Sequence, residues 1–341
     1  MQKEQKNYVG IDVSKTYFDA SLLTVAELQK QPMKTERFSN TKDGLNLFHQ
    51  WLNKNGACMN GQTLLVLENT GVYHRLLWQF CCEHNTPIHI GNATHMKWSF
   101  GIARGKNDVV DSKRICEYAY RHADQLKVTP ALNPAFVKLK DFMTARTKLL
   151  HQKNSIKTYL NELKLSNDKT TQKVLAQSFK AALSGIEKSL ESIENEIDQT
   201  IIVDTDIERN YKLITSVPGV GKYTAIYILC CTHNFATKIS GKQLASYAGV
   251  APFEHSSGVS VKGGNHVHKM ANKELKQLLH LCALSAIKYY PEFKAYFDRK
   301  KAEGKNGMSV LNAIKNKLVL RVVAVVNNQQ PYVDNFNMAT L

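Results

Sequence analysis

The N-terminal part of the chain alternates between strand-like and helix-like hydrophobic patterns. Residues 8–25 (YVGIDVSKTYFDASLLTV) carry alternating apolar positions, which predicts two adjacent strands. An amphipathic stretch over residues 41–56 predicts a helix with a polar cap and a glycine stop. The near-continuous apolar run TLLVLE predicts a buried central strand that ends at Glu68. A helix over 74–84, the strand PIHIG and a helix over 107–122 follow, so the pattern indicates a three-layer α/β domain in residues 1–133.

The rest of the chain has a helical pattern. Residues 134–205 contain almost no Gly or Pro and predict a long antiparallel hairpin of two helices that turns near residues 166–168. Its second helix carries a coiled-coil seam, which fits packing within one domain and contact between subunits equally well. We expect residues 206–330 to form a mainly α domain with a glycine-rich polar insert at 254–268, followed by a tail. The seam residues are Phe179, Leu183, Ile186, Leu190, Ile193 and Ile197.

Composition describes an ordinary globular protein of more than one domain. The 341 residues are 43% hydrophobic and 22% charged, which excludes a disordered chain. No apolar run is long enough for a membrane span and the N-terminus lacks a signal-peptide core, so we expect a cytoplasmic, nucleoid-associated protein. The seven cysteines show no CxxC spacing, which favours reduced thiols over a disulfide or zinc framework.

The net charge of +16 is concentrated at one end. Residues 211–341 hold 17 Lys and Arg against 6 Asp and Glu, a net charge of +11. Such a surface attracts phosphate backbones, so nucleic acid is the expected partner and a membrane is not. Charge that serves only solubility is the alternative.

Four carboxylates occupy positions that a bound cation would explain. Asp12 lies between Ile11 and Val13 in a predicted strand, and Glu68 closes another. Asp108 and Asp111 share one face of a helical first turn, where like charges repel unless a cation lies between them. Single carboxylates of this kind are usually surface residues or caps. Together, these four suit two Mg²⁺ ions about 4 Å apart, which can clamp the attacking and leaving oxygens of a phosphodiester.

The segments around these carboxylates have a family resemblance. YVGIDVSK, LVLENTG and KNDVVDSKRICEYA resemble the RuvC-like DEDD domain of bacterial insertion-sequence transposases of family one-hundred-ten, which includes Piv-type invertases. The resemblance continues through VPGVGKYTAIYIL, KQLASYAGVAPFEHSSG and the basic helix after it. It implies an RNase H-like N-terminal domain and a C-terminal transposase domain, with the helical coiled-coil middle that the seam predicts between them. The PGVG turn of the C-terminal domain is interpreted as a helix-hairpin-helix element. One departure is Lys269-Met270-Ala271-Asn272, where relatives commonly have lysine-arginine-glycine-asparagine.

The resemblance also implies a catalytic serine, and the PGVG turn and the basic charge around it indicate nucleic-acid contacts. The serine falls at Ser257, although Ser256 could serve instead, and from the residues alone Ser-Ser-Gly is more commonly a turn. The glycines of the PGVG turn let backbone N–H groups approach a phosphate, although a plain turn gives the same letters. His266 and His268 have no third ligand nearby and are interpreted as polar loop residues rather than a zinc pair. The candidate nucleic-acid contacts are Gly219, Gly221, Lys222, Lys262, Lys269 and Lys273.

The function expected from these features is an Mg²⁺-dependent DNA transposase or site-specific recombinase that works through a phosphoserine intermediate. Its partners would be donor and target DNA, a structured guide RNA of the kind that some family members use, and further copies of itself as a dimer or tetramer. Three alternatives stay open: a Piv-like invertase that reads DNA directly, a junction nuclease in which water attacks, and a noncatalytic DNA-binding protein.

Overall fold

The computed structural model describes residues 5–100, 107–165, 168–257, 261–267 and 271–333, with 254–257 and 261–266 described by their backbone alone. The chain divides into two compact units, residues 1–132 and 133–341. Within the described ranges, no helix combines the length and the apolar character needed to cross a bilayer.

The first unit is a mixed six-stranded sheet with helices on both faces. The strand order is β3-β2-β1-β5-β6, with β4 also paired to β2. β1 and β2 form an antiparallel hairpin, whereas β1, β5 and β6 are parallel. The elements are β1 (Gln5–Val13), β2 (Tyr17–Ala26), β3 (Gln29–Lys30), β4 (Lys34–Ser39), α1 (Lys42–Lys54), β5 (Thr63–Glu68), α2 (Arg75–Glu83), β6 (Ile88–Gly91), α3 (Ala93–Ser99) and α4 (Asp108–Arg121).

Alternation along the strands builds one core on each face of the sheet. Val9 and Ile11 of β1 pack in one core with apolar residues of α1 and α2, such as Phe48 and Leu77. Tyr8 belongs to the opposite core, which includes α4 residues such as Ile115. The three-layer α/β expectation for this region is confirmed.

Three elements of this unit have no counterpart in the sequence prediction. β3 (Gln29–Lys30) has only two residues, both exposed, and therefore shows no period. β4 (KTERFS) buries only Phe38 and pairs with β2, so its polar pattern gave little strand signal. α3 (ATHMKWS) has one buried side chain, Met96, and is too short to show a helical period.

The second unit begins with the predicted helical hairpin. α5 (Pro134–Leu163) and α6 (Lys169–Val203) pack together along their length. Arg146 pairs with Glu194 and Lys153 with Glu187, each at 2.8 Å, as two antiparallel helices require. Within the seam, Leu190 and Ile197 are buried and the four remaining positions are partly exposed. The interhelical packing therefore covers part of this stripe.

The remaining elements share a core with the base of that hairpin. Phe136 and Ile197 belong to the same apolar cluster as Ile214 and Leu279, so the hairpin and the later helices form one unit by their contacts. The separate middle and C-terminal domains stay a prediction. The insert at 254–268, expected only as a polar segment, contains an antiparallel hairpin. The elements are α7 (Thr205–Thr215), α8 (Lys222–Thr232), α9 (Gly241–Tyr247), β7 (Phe253–Ser257), β8 (Val261–His266), α10 (Lys273–Tyr289), α11 (Pro291–Ala302) and α12 (Gly307–Asn328).

Candidate active site

Asp12 and Glu68 lie side by side at the carboxyl edge of the sheet. β1 and β5 run parallel in a register that pairs Ile11 with Leu67, so the next residue of each strand is one of the two acids. Both acidic residues are half-buried. The strand pairing brings together two carboxylates that are 56 positions apart in the chain.

The two remaining acids come from the first turn of α4. Asn107 caps this helix by accepting a hydrogen bond from the Val110 N–H, and Asp108 and Asp111 follow. The helix crosses β1 at Gly10, where a Cβ atom would lie only 2.0 Å from the backbone nitrogen of Cys116. Glycine at this position is therefore what lets α4 pack close to the strand that carries Asp12.

Electrostatic interactions link these four carboxylates. Burial, followed by the charges of Asp108, Asp111 and Glu68, raises the pKa of Asp12 to about 6. A smaller contribution comes from Asp19, which pairs with Asp12 across the β1–β2 hairpin. Negative charges that are held near one another in a partly dry site attract cations. The repulsion centred on Asp12 is thus a property of the fold rather than of one side chain.

Cationic and phenolic side chains contact part of this cluster. Arg37 binds Asp19 through two hydrogen bonds of 3.0 and 2.8 Å, and its Nη2 also lies 3.5 Å from Asp108 Oδ2. The Tyr17 hydroxyl donates a 2.8 Å hydrogen bond to the same Asp108 oxygen, and the Arg37 guanidinium stacks over the Tyr17 ring. On the other side, Arg114 pairs with Asp111 at 3.1 Å.

Asp19, Tyr17 and Arg37 are site residues that the sequence reasoning missed. Asp19 is almost fully buried, with 1% of its side chain exposed. A signal was available: a tight turn after Val13 pairs Val13 with Phe18 and therefore Asp12 with Asp19. Arg37 had no such signal because it lies on β4, the strand that was not predicted.

The described residues contain no group of three or more His, Cys, Asp or Glu side chains arranged as a finished metal cage. Mg²⁺ does not require one, because it keeps several water ligands and usually takes one or two carboxylates together with substrate phosphate oxygens. Half-buried carboxylates with mutual repulsion are donors of the kind that this ion prefers. The donor set therefore fits Mg²⁺ chemically.

In the second unit, the PGVG turn joins α7 to α8. Gly219 has a φ of +80°, and a Cβ atom there would lie 2.7 Å from the Cys282 carbonyl oxygen, so this glycine is required for the backbone conformation and packing. Gly221, by contrast, is the N-cap residue of α8, and a Cβ atom there would meet nothing within 4 Å. Lys222 forms an ion pair with Asp198 of α6 at 2.6 Å. Only Gly221 of this turn combines exposure with a helix N-terminus.

The other predicted contacts lie around the β7–β8 hairpin. Ser257 ends β7 and pairs with Val261, and Ser256 pairs with Lys262. For these two serines and Lys262 the structure gives the backbone only, and Lys269 lies outside the described residues. Lys273 is exposed in the first turn of α10.

Two family models match this chain. Residues 9–164 match the model for DEDD transposases of IS110 type, described as "Transposase". Residues 211–298 match the model described as "Transposase IS116/IS110/IS902 family". The first match covers all four carboxylates, and the second covers the PGVG turn and the serines.

Similar proteins agree with these models. The chain is 27% identical to the "Pilin gene-inverting protein" of Moraxella lacunata over 336 residues, 96% of this chain and 98% of the relative. The protein of the same name from Moraxella bovis is equally similar. An "Insertion element IS110 uncharacterized 43.6 kDa protein" of Streptomyces coelicolor is 27% identical over 155 residues, 46% of this chain and 37% of the relative. The chain therefore belongs to the IS110 family of transposases and is a DNA-recombining enzyme.

Proposed function

We propose that this enzyme cuts and rejoins DNA with a catalytic centre made of two parts, the carboxylates Asp12, Glu68, Asp108 and Asp111 and the hydroxyl of Ser257. The observation that carries the first part is the gathering of carboxylates around the half-buried Asp12, where burial and then the neighbouring charges raise its pKa to about 6. A fold does not gather buried like charges without a compensating cation or chemistry that uses them.

The four carboxylates would hold Mg²⁺, with two ions as the expected number. Mg²⁺ bound there would stabilise the negative charge that develops on the oxygens of a phosphodiester under attack. The chain's own residues do the positioning. Tyr17 and Arg37 hold Asp108, and Arg114 holds Asp111, so these side chains are oriented before DNA arrives.

In the proposed reaction, the Ser257 oxygen attacks a DNA phosphorus and loses its proton. The bond from phosphorus to one sugar oxygen breaks, that oxygen leaves as a hydroxyl, and a phosphoserine remains. A hydroxyl of the partner strand then attacks the phosphoserine, which restores the serine and joins the strands. The number of phosphodiester bonds is conserved, so no external energy source is needed. Family resemblance supports the assignment to Ser257.

The basic region, residues 211–341, is proposed to bind the DNA backbone, and a guide RNA where one is used. Its charge of +11 supports this role. The α7–turn–α8 element, read as a helix-hairpin-helix, would offer the exposed N–H groups near Gly221 to a phosphate. Lys222 would have to exchange Asp198 for phosphate. Lys262, Lys269 and Lys273 are the remaining proposed contacts, and a dimer or tetramer is the proposed assembly.

The test of the serine step is to trap and map a protein–DNA adduct. We expect a covalent adduct on Ser257 that Ser257→Ala abolishes and Ser256→Ala retains. An adduct that maps to Ser256 would move the nucleophile by one residue. Cleavage that persists in Ser257→Ala without any adduct would favour a nuclease in which water attacks.

A second candidate is an invertase that reads DNA without a guide. It is favoured by the coverage of the comparisons, because the relatives aligned over 96% of this chain are pilin gene-inverting proteins, whereas the insertion-element relative aligns over less than half of it. Sequencing RNA that copurifies with the enzyme distinguishes the two candidates. A structured RNA encoded next to the gene supports guidance, and recombination by RNA-free enzyme supports direct reading.

A further inference from the structure

Two chain segments leave the sheet at the same edge as the catalytic carboxylates. Because β1, β5 and β6 are parallel, the segment after Glu68 and the segment after Gly91 start on the side where Asp12 lies. The two segments are joined at their start, since the Asn69 N–H donates a 2.9 Å hydrogen bond to the Gly91 carbonyl. Both segments therefore begin at the edge of the sheet that carries the acidic cluster.

The segment after β5 displays apolar side chains to solvent. Val72 is 55% exposed and Tyr73 is 42% exposed. The backbone behind them is held: the Thr70 N–H donates to Nδ1 of the buried His74, and Asn40 donates to the Tyr73 carbonyl at 2.9 Å. The exposure of Tyr73 is thus built into an ordered turn.

The segment after β6 is α3, which displays Trp98. Trp98 is 67% exposed, whereas Met96, two positions earlier on the helix, is fully buried. α3 packs against α4, the helix that carries Asp108 and Asp111, and the ring of its C-cap residue Phe100 meets Tyr118 of α4 edge-on at 6.4 Å. The large exposed indole is therefore anchored next to the carboxylate-bearing helix.

We propose that Tyr73 and Trp98 form a stacking surface for unpaired bases of the DNA strand being cut. This inference rests on the proposed function. Exposed aromatic rings are unfavourably hydrated, and every base has a π face that can stack on such a ring. Lys97 is exposed beside Trp98 and can neutralise backbone phosphate. An enzyme that exchanges strands must hold bases that have left the duplex, and this edge of the sheet is where they would emerge.

Tryptophan fluorescence tests the proposal directly. Trp78 is buried and donates to the Pro130 carbonyl, and Trp51 packs against Phe38, so Trp98 is the most exposed of the three indoles. We expect a single-stranded DNA oligonucleotide to quench emission in EDTA and roughly 0.3 M salt, which weakens phosphate contacts. A duplex of equal length should quench far less. Absence of quenching would overturn the stacking surface.

Variants separate stacking from structure. Trp98→Ala and Tyr73→Ala should weaken single-strand binding about 5- to 100-fold, while Trp98→Phe and Tyr73→Phe retain most of it. Tyr159→Ala is the matched control, because Tyr159 is 43% exposed in the other unit and lies outside the basic residues 211–341. Wild-type affinity in both Ala variants, or tighter binding of single-stranded RNA than of DNA, would overturn the proposal.

This experiment is independent of catalysis. If Asp12→Asn recombines DNA normally, the proposed function fails whatever the fluorescence does. If Asp12→Asn is inactive but the oligonucleotide leaves Trp98 emission unchanged, only the stacking surface fails.

Discussion

At the scale of single residues, Asp12 has to satisfy two opposing demands. The fold half-buries its carboxyl group among other acids, which favours the protonated form and raises its pKa to about 6. Metal-dependent chemistry requires the ionised form. The two demands are reconciled if the ion itself offsets the repulsion, so the site should be less stable without metal than with it.

This gives a stability prediction for Asp12→Asn in EDTA. A raised pKa means that the contribution of Asp12 to folding is full below the ordinary carboxyl range and is lost as pH rises through about 6. Solvent screening reduces this contribution to the free energy of unfolding to about 1 kcal/mol. We expect Asp12→Asn to raise the melting temperature by roughly 2–4 °C at pH 8 and by about half as much at pH 5. An equal increase in melting temperature at pH 5 and pH 8 would contradict the proposal that charge repulsion destabilises this site.

A second prediction concerns Tyr17, whose hydroxyl orients Asp108. Tyr17→Phe removes one hydrogen bond from a partly exposed site, so the melting temperature should hardly change. Its effect should appear in metal binding, as about a tenfold loss of Mg²⁺ affinity measured by calorimetry. Tyr73→Phe serves as the control. Unchanged affinity in Tyr17→Phe would show that Asp108 does not need this donor.

Four residues of the cluster were predictable from the sequence. Asp12 and Glu68 stand in apolar strands, and Asp108 and Asp111 share one face of a helical turn. Sequence reasoning could not reach Arg37, because that contact depends on how an unpredicted strand pairs. Nor could it show that Lys222 faces Asp198, since no local pattern encodes a contact between residues 24 positions apart on different helices.

At the scale of elements, the crossing of β1 and α4 determines the site. Gly10→Ala would push a methyl group into the helix backbone at Cys116, so we expect a loss of about 3 kcal/mol or more in the free energy of unfolding. Gly61→Ala is the matched control, because a Cβ atom there meets nothing within 4 Å. Denaturant unfolding of both variants measures the difference, and equal stability would refute the close packing.

The strands β1, β2 and β5 and the long helices were predictable because their apolar periods extend over many residues. β4, α3 and the β7–β8 hairpin were not, since each is short and owes its structure to pairing or packing with distant residues. The stacking surface depends on one of these missed elements. Trp98 in the sequence is only an isolated aromatic residue, and α3 places it on a helix that packs against α4.

At the scale of the whole molecule, the carboxylate cluster and the basic region lie in different units. The first unit gathers carboxylates, and the basic end of the chain lies in the second unit. An enzyme of this family needs both a site that handles the phosphodiester and a surface that holds the backbone. The sequence pattern predicts a boundary near residue 133, and the contacts divide the chain at the same place. The contacts do not separate the helical hairpin from the rest of the second unit, so its independence as a domain stays a prediction.

The most direct test of the central claim is strand exchange in Mg²⁺ by purified Asp12→Asn enzyme, with Asp124→Asn as an exposed acidic control in the same unit. The account predicts that Asp12→Asn stays folded and loses activity on the order of a thousandfold, as for other groups that act on transition-state charge. Asp124→Asn should retain wild-type activity. Wild-type recombination by folded Asp12→Asn would contradict the assignment of the carboxylate cluster as the catalytic centre.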